Sequence, residues 1–170
     1  LRLGLKDNLD VSSYANSEFD EFQMEEIREG LKNNVDVSIY NIPTLDAEVM
    51  EQVRIALEQN IDLSEYIKDF SCLQLVEIRK GLQDNLDISI YANPDFSCFQ
   101  MDQIRWGLVD NLDVSLYANP EYTWNQMEQI RLGLEANVDV SLYAKKEYKY
   151  DWRQMEQIRL GLQEKLDVFI

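Results

Sequence analysis

The sequence predicts an all-α fold: a solenoid of ~26-residue repeats, each one long helix plus one short helix. Three columns of residues predict it. Arginines recur at Arg2, Arg28, Arg54, Arg79, Arg105, Arg131 and Arg159, at spacings of 26, 26, 25, 26, 26 and 28. Two residues after each stands Gly4, Gly30, Ala56, Gly81, Gly107, Gly133 or Gly161. Eight residues after each stands Asp10, Asp36, Asp62, Asp87, Asp113, Asp139 or Asp167. Chance does not align three such columns over seven occurrences, so the chain reads as a repeat array.

Each element of the unit follows from its residues. In the unit that starts at Asn119, Thr123 is the N-cap of the long helix, as Ser97 and Ser71 are in the preceding units. Met127, Ile130 and Leu134 then recur on one face at helical spacing. Asn137 closes the helix, and Asn8, Asn34, Asn60, Asn85 and Asn111 share its column; asparagine tolerates the left-handed conformation that ends many helices. Asp139 then caps a second helix of one or two turns within V-D-V-S-L-Y-A. Asn-Pro pairs at Asn93-Pro94 and Asn119-Pro120 stop it and turn the chain into the next unit. The mid-helix glycine costs about 0.5–1 kcal/mol relative to Ala, so its recurrence predicts a close approach of neighbouring backbones. A single pair of helices cannot bury its own apolar face, but a stack can: Met127, Ile130 and Leu134 would lie on Met101, Ile104 and Leu108 and on Val114, Leu116 or Tyr117.

No linker divides residues 1–170, which read as one array of about six units. Two units depart from the pattern: Asn41–Val53 lacks the N-P-x-aromatic start, and Tyr66–Ile78 is one residue short. The array opens at Leu1 without an initiator Met and closes part-way through a unit at Ile170, which fits a segment of a longer protein.

Composition narrows the function classes. The chain has 32 acidic against 16 basic residues and no histidine, for a formal charge of −16. Phosphate backbones and anionic membranes repel such a surface, so neither direct nucleic-acid binding nor membrane binding is expected. Without histidine, a Cys/His zinc site and a Ser/His/Asp triad are excluded. Cys72 and Cys98 are too few for a disulfide scaffold, apolar runs are too short to span a bilayer, and no signal peptide is evident. A cytoplasmic protein is the expectation, with no enzymatic activity and no cofactor or metal.

The unit Q-M-x-x-I-R-x-G-L-x-x-N-[LV]-D-V-S-x-Y-A is similar to short tandem repeats of Firmicutes proteins that are often associated with mobile elements. Those repeats usually carry Gly where this chain carries its asparagine cap. The resemblance covers essentially the whole chain and implies no activity or functional residue.

Four polar or reactive patterns have structural explanations. The Arg and Asp columns occur in every unit, as architecture does, and fit a pairing of each Arg with the aspartate cap of a short helix. Carboxylate pairs such as Glu25-Glu26 and Asp20-Glu21 read as solvated helix faces. Cys72 and Cys98 read as reduced thiols at helix starts. The column Tyr14, Tyr40, Tyr66, Tyr91, Tyr117 and Tyr143 reads as core.

A fifth column is different. Leu3, Glu29, Ile55, Lys80, Trp106, Leu132 and Leu160 follow the arginines, opposite the apolar face, yet five of the seven are apolar. Val76 and Val109 stand near Trp106, and carboxylates such as Glu77, Asp102, Asp110, Glu128 and Glu135 surround it. An apolar stripe rimmed by charge marks a protein-binding face. The expected partner-binding residues are therefore Ile55, Trp106, Val109, Leu132 and Leu160, on a scaffold that takes a protein partner with a basic surface. Two other readings remain open. One is an acidic DNA mimic or decoy that occupies a nucleic-acid-binding protein of host defence. The other is an array that self-associates or spaces two domains.

Overall fold

The computed structural model describes residues 1–166; Asp167, the last aspartate of its column, and Ile170 lie outside the described residues. Among the described residues the chain is all-helical and contains no strand. The helices are α1 (Arg2–Lys6), α2 (Glu21–Lys32), α3 (Ala47–Glu58), α4 (Cys72–Gln83), α5 (Cys98–Val109), α6 (Trp124–Glu135) and α7 (Trp152–Gln163). The chain groups into two compact units, Leu1–Arg79 and the chain from Lys80 on, divided inside α4. In the first, α2 packs on α3; in the second, α6 packs on both α5 and α7.

Helix starts are set by side chains. Asp20, Ser97, Thr123 and Asp151 each accept from the backbone N–H three residues on, and the Gln at that position accepts in return from the N-cap N–H. Asp46 makes no such bond, and α3 carries Val49 in place of the glutamine. Helix ends are set by the asparagine column: Asn8, Asn34, Asn60, Asn85, Asn111 and Asn137 all have φ between 53° and 59°. Lys165 occupies this position in the last unit, at φ 58°.

The second element of each unit is shorter than expected. It is a single 3-10 turn of three residues at Val37–Ile39, Ile88–Ile90, Val114–Leu116 and Val140–Leu142, while residues 61–71, between α3 and α4, form turns without a 3-10 helix. Its aspartate cap accepts from the serine N–H two residues on, as Asp113 does from Ser115 at 3.2 Å and Asp139 from Ser141 at 3.0 Å. Of the three residues expected to receive the long helices, Val114 and Tyr117, the C-cap of the turn, are in the core, and Leu116 is exposed.

The glycine column is explained by tyrosine, not by backbone approach. A Cβ at Gly107 would overlap the Tyr117 hydroxyl and lie 2.7 Å from Val114 Cγ1; Gly4, Gly30, Gly81 and Gly133 face Tyr14, Tyr40, Tyr91 and Tyr143 in the same way. Tyr40, Tyr117 and Tyr143 reach through this gap to donate to the Glu26, Gln103 and Gln129 carbonyls at 3.2, 3.1 and 3.0 Å. Each accepting residue lies one helical turn before the glycine, and burial pushes all three phenols up from the ordinary tyrosine pKa. Ala56 is the internal control: it carries a buried methyl in place of the glycine, and Tyr66 is only half-buried, in edge contact with Phe70 at 5.7 Å.

The buried face is also turned from the expected one. Met127, Gln129, Ile130 and Gly133 are buried while Leu134 is half-buried, and α5 likewise buries Met101, Ile104 and Gly107 but not Leu108. The tyrosine draws the glycine inward and rotates the leucine towards the flank.

Polar side chains tie successive long helices together. Arg54 Nε donates to Glu26 at 2.8 Å, Arg131 Nε to Gln103 at 3.0 Å and Arg159 Nε to Gln129 at 3.0 Å. These partners belong to the preceding long helix, two residues before its own arginine. The expected pairing of arginines with the aspartate caps is therefore replaced by helix-to-helix bonds, because the serine amides already hold the aspartates. Across the unit that is one residue short, Arg79 Nε and Gln52 Oε1 are both buried without a hydrogen-bond partner among the described residues. Glutamines of the capping boxes also have a second task. Gln100 Nε2 donates to the Pro120 and Tyr122 carbonyls at 3.0 and 2.5 Å, and Gln23 Nε2 to those of Pro43 and Leu45 at 3.0 and 2.6 Å.

Gly107→Ala gains about 1 kcal/mol of helix propensity but overpacks the tyrosine seat, so urea denaturation is expected to show a net loss of about 1–3 kcal/mol. Tyr117→Phe added to it recovers part of that loss. Ala56→Gly, with no tyrosine to admit, loses stability by about 1 kcal/mol through propensity alone. Gln100→Glu keeps the capping acceptor but removes the amide donor from two carbonyls, and costs about 2 kcal/mol by the same measurement. A Gly107→Ala chain as stable as the parent would refute the tyrosine seat.

Candidate interaction surface

Helix α5 carries three exposed apolar side chains. Phe99 is 60 % exposed, Trp106 44 % and Val109 38 %. At 100° per residue these three lie within about 80° of one another on the helix, on the side away from Met101, Ile104 and Gly107. Trp124, at the first turn of α6, is also exposed, and its ring stands 5.8 Å from that of Phe99 at 36°. The Arg105 guanidinium lies 4.8 Å from the centre of the Trp106 ring and pairs with Asp102 at 2.9 Å. Arg105 is itself buried, so it holds the indole in place from within.

The five expected partner-binding residues are not brought together. Trp106, Val109 and Leu160 are exposed, but Ile55 and Leu132 are half-buried. Leu132 loses exposure because the buried face of α6 is turned and because α6 is flanked by both α5 and α7. Leu160 stands on α7, and Ile55 belongs to the first unit. Only Trp106 and Val109 share one surface. Val76 is half-buried.

Sequence reasoning missed Phe99 and Trp124, together with Phe22 and Leu73, which are exposed at the first turns of α2 and α4. The signal was present. The position just before the capping-box glutamine reads Phe22, Leu73, Phe99, Asn125 and Arg153, and such a mixture of apolar and charged residues marks an exposed position.

Charge around α5 is one-sided. Residues 81–144 contain ten carboxylates and two cations, Arg105 and Arg131, whose side chains are 7 % and 14 % exposed. Arg131 pairs with Glu135. The aspartate column is engaged by the short turns. Asp10 and Asp36 are held below the ordinary carboxyl pKa by the hydroxyls and then the amides of Ser12 and Ser38, and Asp62 by the amide and then the hydroxyl of Ser64.

In the first unit, a groove of about 450 Å³ at the N-terminal ends of α2 and α3 is lined by Asp20, Glu26, Asp46, Glu48 and Glu51, with Phe22 at its side. Two of these acids are committed, Asp20 to its capping box and Glu26 to Arg54. Glu25 lies 3.5 Å from Arg28. Both cysteines are free thiols, half-buried. Among the described residues no cluster of side chains is arranged to hold a metal ion, and no helix is long and apolar enough to cross a membrane. No protein-family model, curated protein or solved structure matches this chain.

Proposed function

We propose that the chain is a non-enzymatic protein-binding scaffold whose repeats stack as one α-solenoid. Its docking surface is the outer face of α5, with Trp106 as the central anchor. One observation carries the reading: Phe99, Trp106 and Val109 are exposed together on a helix whose core positions are already filled. Exposed apolar side chains in line cost solubility, whereas burial under a partner stabilises the complex by about 1.5–3 kcal/mol for each large side chain. The Arg105 contact limits the motion of the indole and so lowers the entropy lost on binding. Stacking of the repeats is supported by the bonds of Arg54, Arg131 and Arg159 to the preceding long helices and by those of Gln23 and Gln100 to the linkers that follow.

The surrounding carboxylates direct the partner preference towards basic surfaces. Free thiols at Cys72 and Cys98 accord with a reducing cytoplasm. The kinship to repeats of Firmicutes mobile-element proteins stays part of this proposal, and it names no partner.

Capture from nuclease-treated host lysate, with the parent chain and Trp106→Glu side by side, tests the reading. A defined protein held at high salt by the parent and lost by the variant is the expected result, with helicity and melting temperature nearly unchanged. Equal capture of DNA-binding proteins by both, stripped by salt, would overturn it in favour of the acidic decoy.

A further inference from the structure

Exposure on α5 follows a spacing that points to the shape of its occupant. Phe99, Asp102, Trp106 and Val109 are separated by three, four and three residues, the alternation of the a and d positions of a coiled-coil seam. Three of these four are apolar and exposed. At the same four positions the other five long helices carry only one or two apolar side chains. Features common to every repeat serve the architecture, and this one belongs to α5 alone.

A seam of this spacing is matched by a second helix. Knobs at a and d meet holes on a facing helix of the same period, whereas an extended segment repeats every two residues and falls out of step with it. The length also suits: 12 residues give about 18 Å of axis, close to two heptads of a partner. Charge sets the second property. Ten carboxylates lie within residues 81–144, and the two arginines among them are turned inward. The last turn of α5, where Trp106 and Val109 stand, is also the negative end of its dipole, with Asp110 as its C-cap. A helix with acidic flanks is repelled here, and one with Lys or Arg beside its apolar seam is attracted.

We propose that the outer face of α5 is the receptor for a single amphipathic basic helix of a partner protein. Its apolar seam lies along Phe99, Trp106 and Val109, with Trp124 widening the seat at the Phe99 end. This rests on the proposed function and narrows it to one class of occupant.

The test titrates the full chain with three labelled two-heptad peptides and follows fluorescence anisotropy. One has Leu at a and d and Lys elsewhere. The second has the same composition in permuted order, and the third carries Glu in place of Lys. The basic amphipathic peptide is expected to bind at least about tenfold more tightly than either of the others. Val109→Asp is expected to weaken it by about tenfold, and Leu160→Asp, on α7, to leave it unchanged. Circular dichroism confirms that both variants fold. Equal binding of the permuted peptide would reduce the effect to plain charge attraction and overturn the proposal. An equal loss from Leu160→Asp would overturn it by moving the seat away from α5. If Trp106→Glu abolishes lysate capture while no peptide binds, the scaffold stands and the basic helix is wrong. Unchanged capture sinks the scaffold itself.

Discussion

A tyrosine hydroxyl seated over a glycine is the constraint on which the rest of the regular repeats depends. The hydroxyl reaches a carbonyl inside the preceding long helix only if the residue beneath it lacks a side chain. This fixes the chain length between the two, ten residues in every unit that has both. Within those ten residues the helix must stop, reverse and make a 3-10 turn. The left-handed asparagine supplies the reversal and the Asp–Ser bond supplies the turn. Distances from arginine to tyrosine are accordingly constant at 12, while those from tyrosine to the next arginine vary between 13 and 16. Insertions and deletions fall where the lock imposes nothing. Ala56 and Tyr66 show the converse, since without the glycine the tyrosine leaves the core.

Around this lock, polar side chains with two bonding functions do what apolar packing alone does not. The glutamine of the capping box accepts from its own helix start and donates to carbonyls of the following linker, so one amide fixes both the helix end and its neighbour. Glutamate satisfies the first task alone. Arg54, Arg131 and Arg159 each lie across two helices, and Arg159 is buried there with its charge bonded to Gln129. Where the chain is one residue short, Arg79 and Gln52 fail to meet, and both are left without that bond.

Once the repeated residues are accounted for by architecture, what remains is individual. Phe99, Trp106 and Val109 have no task in the lock, in the caps or in the polar bonds between helices. On the proposed function, the apolar area of this surface supplies adhesion to a partner, and the surrounding carboxylates and inward-turned arginines supply the preference for a basic one.

The sequence by itself determined the repeat, its all-helical character, the helix starts at Ser71, Ser97 and Thr123 and the asparagine ends, because capping and left-handed turns are local chemistry written in adjacent residues. It also indicated that Tyr14, Tyr40, Tyr91, Tyr117 and Tyr143 are core, though it placed half-buried Tyr66 with them, and that Trp106 and Val109 are exposed. Only the tertiary structure decided what the glycines face, since a tyrosine ten residues on and a neighbouring backbone predict the same small residue. It decided that the arginines pair with the previous helix and not with the aspartate caps, because such bonds depend on how far neighbouring helices are offset, which no periodicity records. It decided as well that Leu132 and Ile55 are half-buried and that Phe99 and Trp124 stand together. A helical wheel fixes angles within one helix; exposure depends on what the neighbouring helices cover.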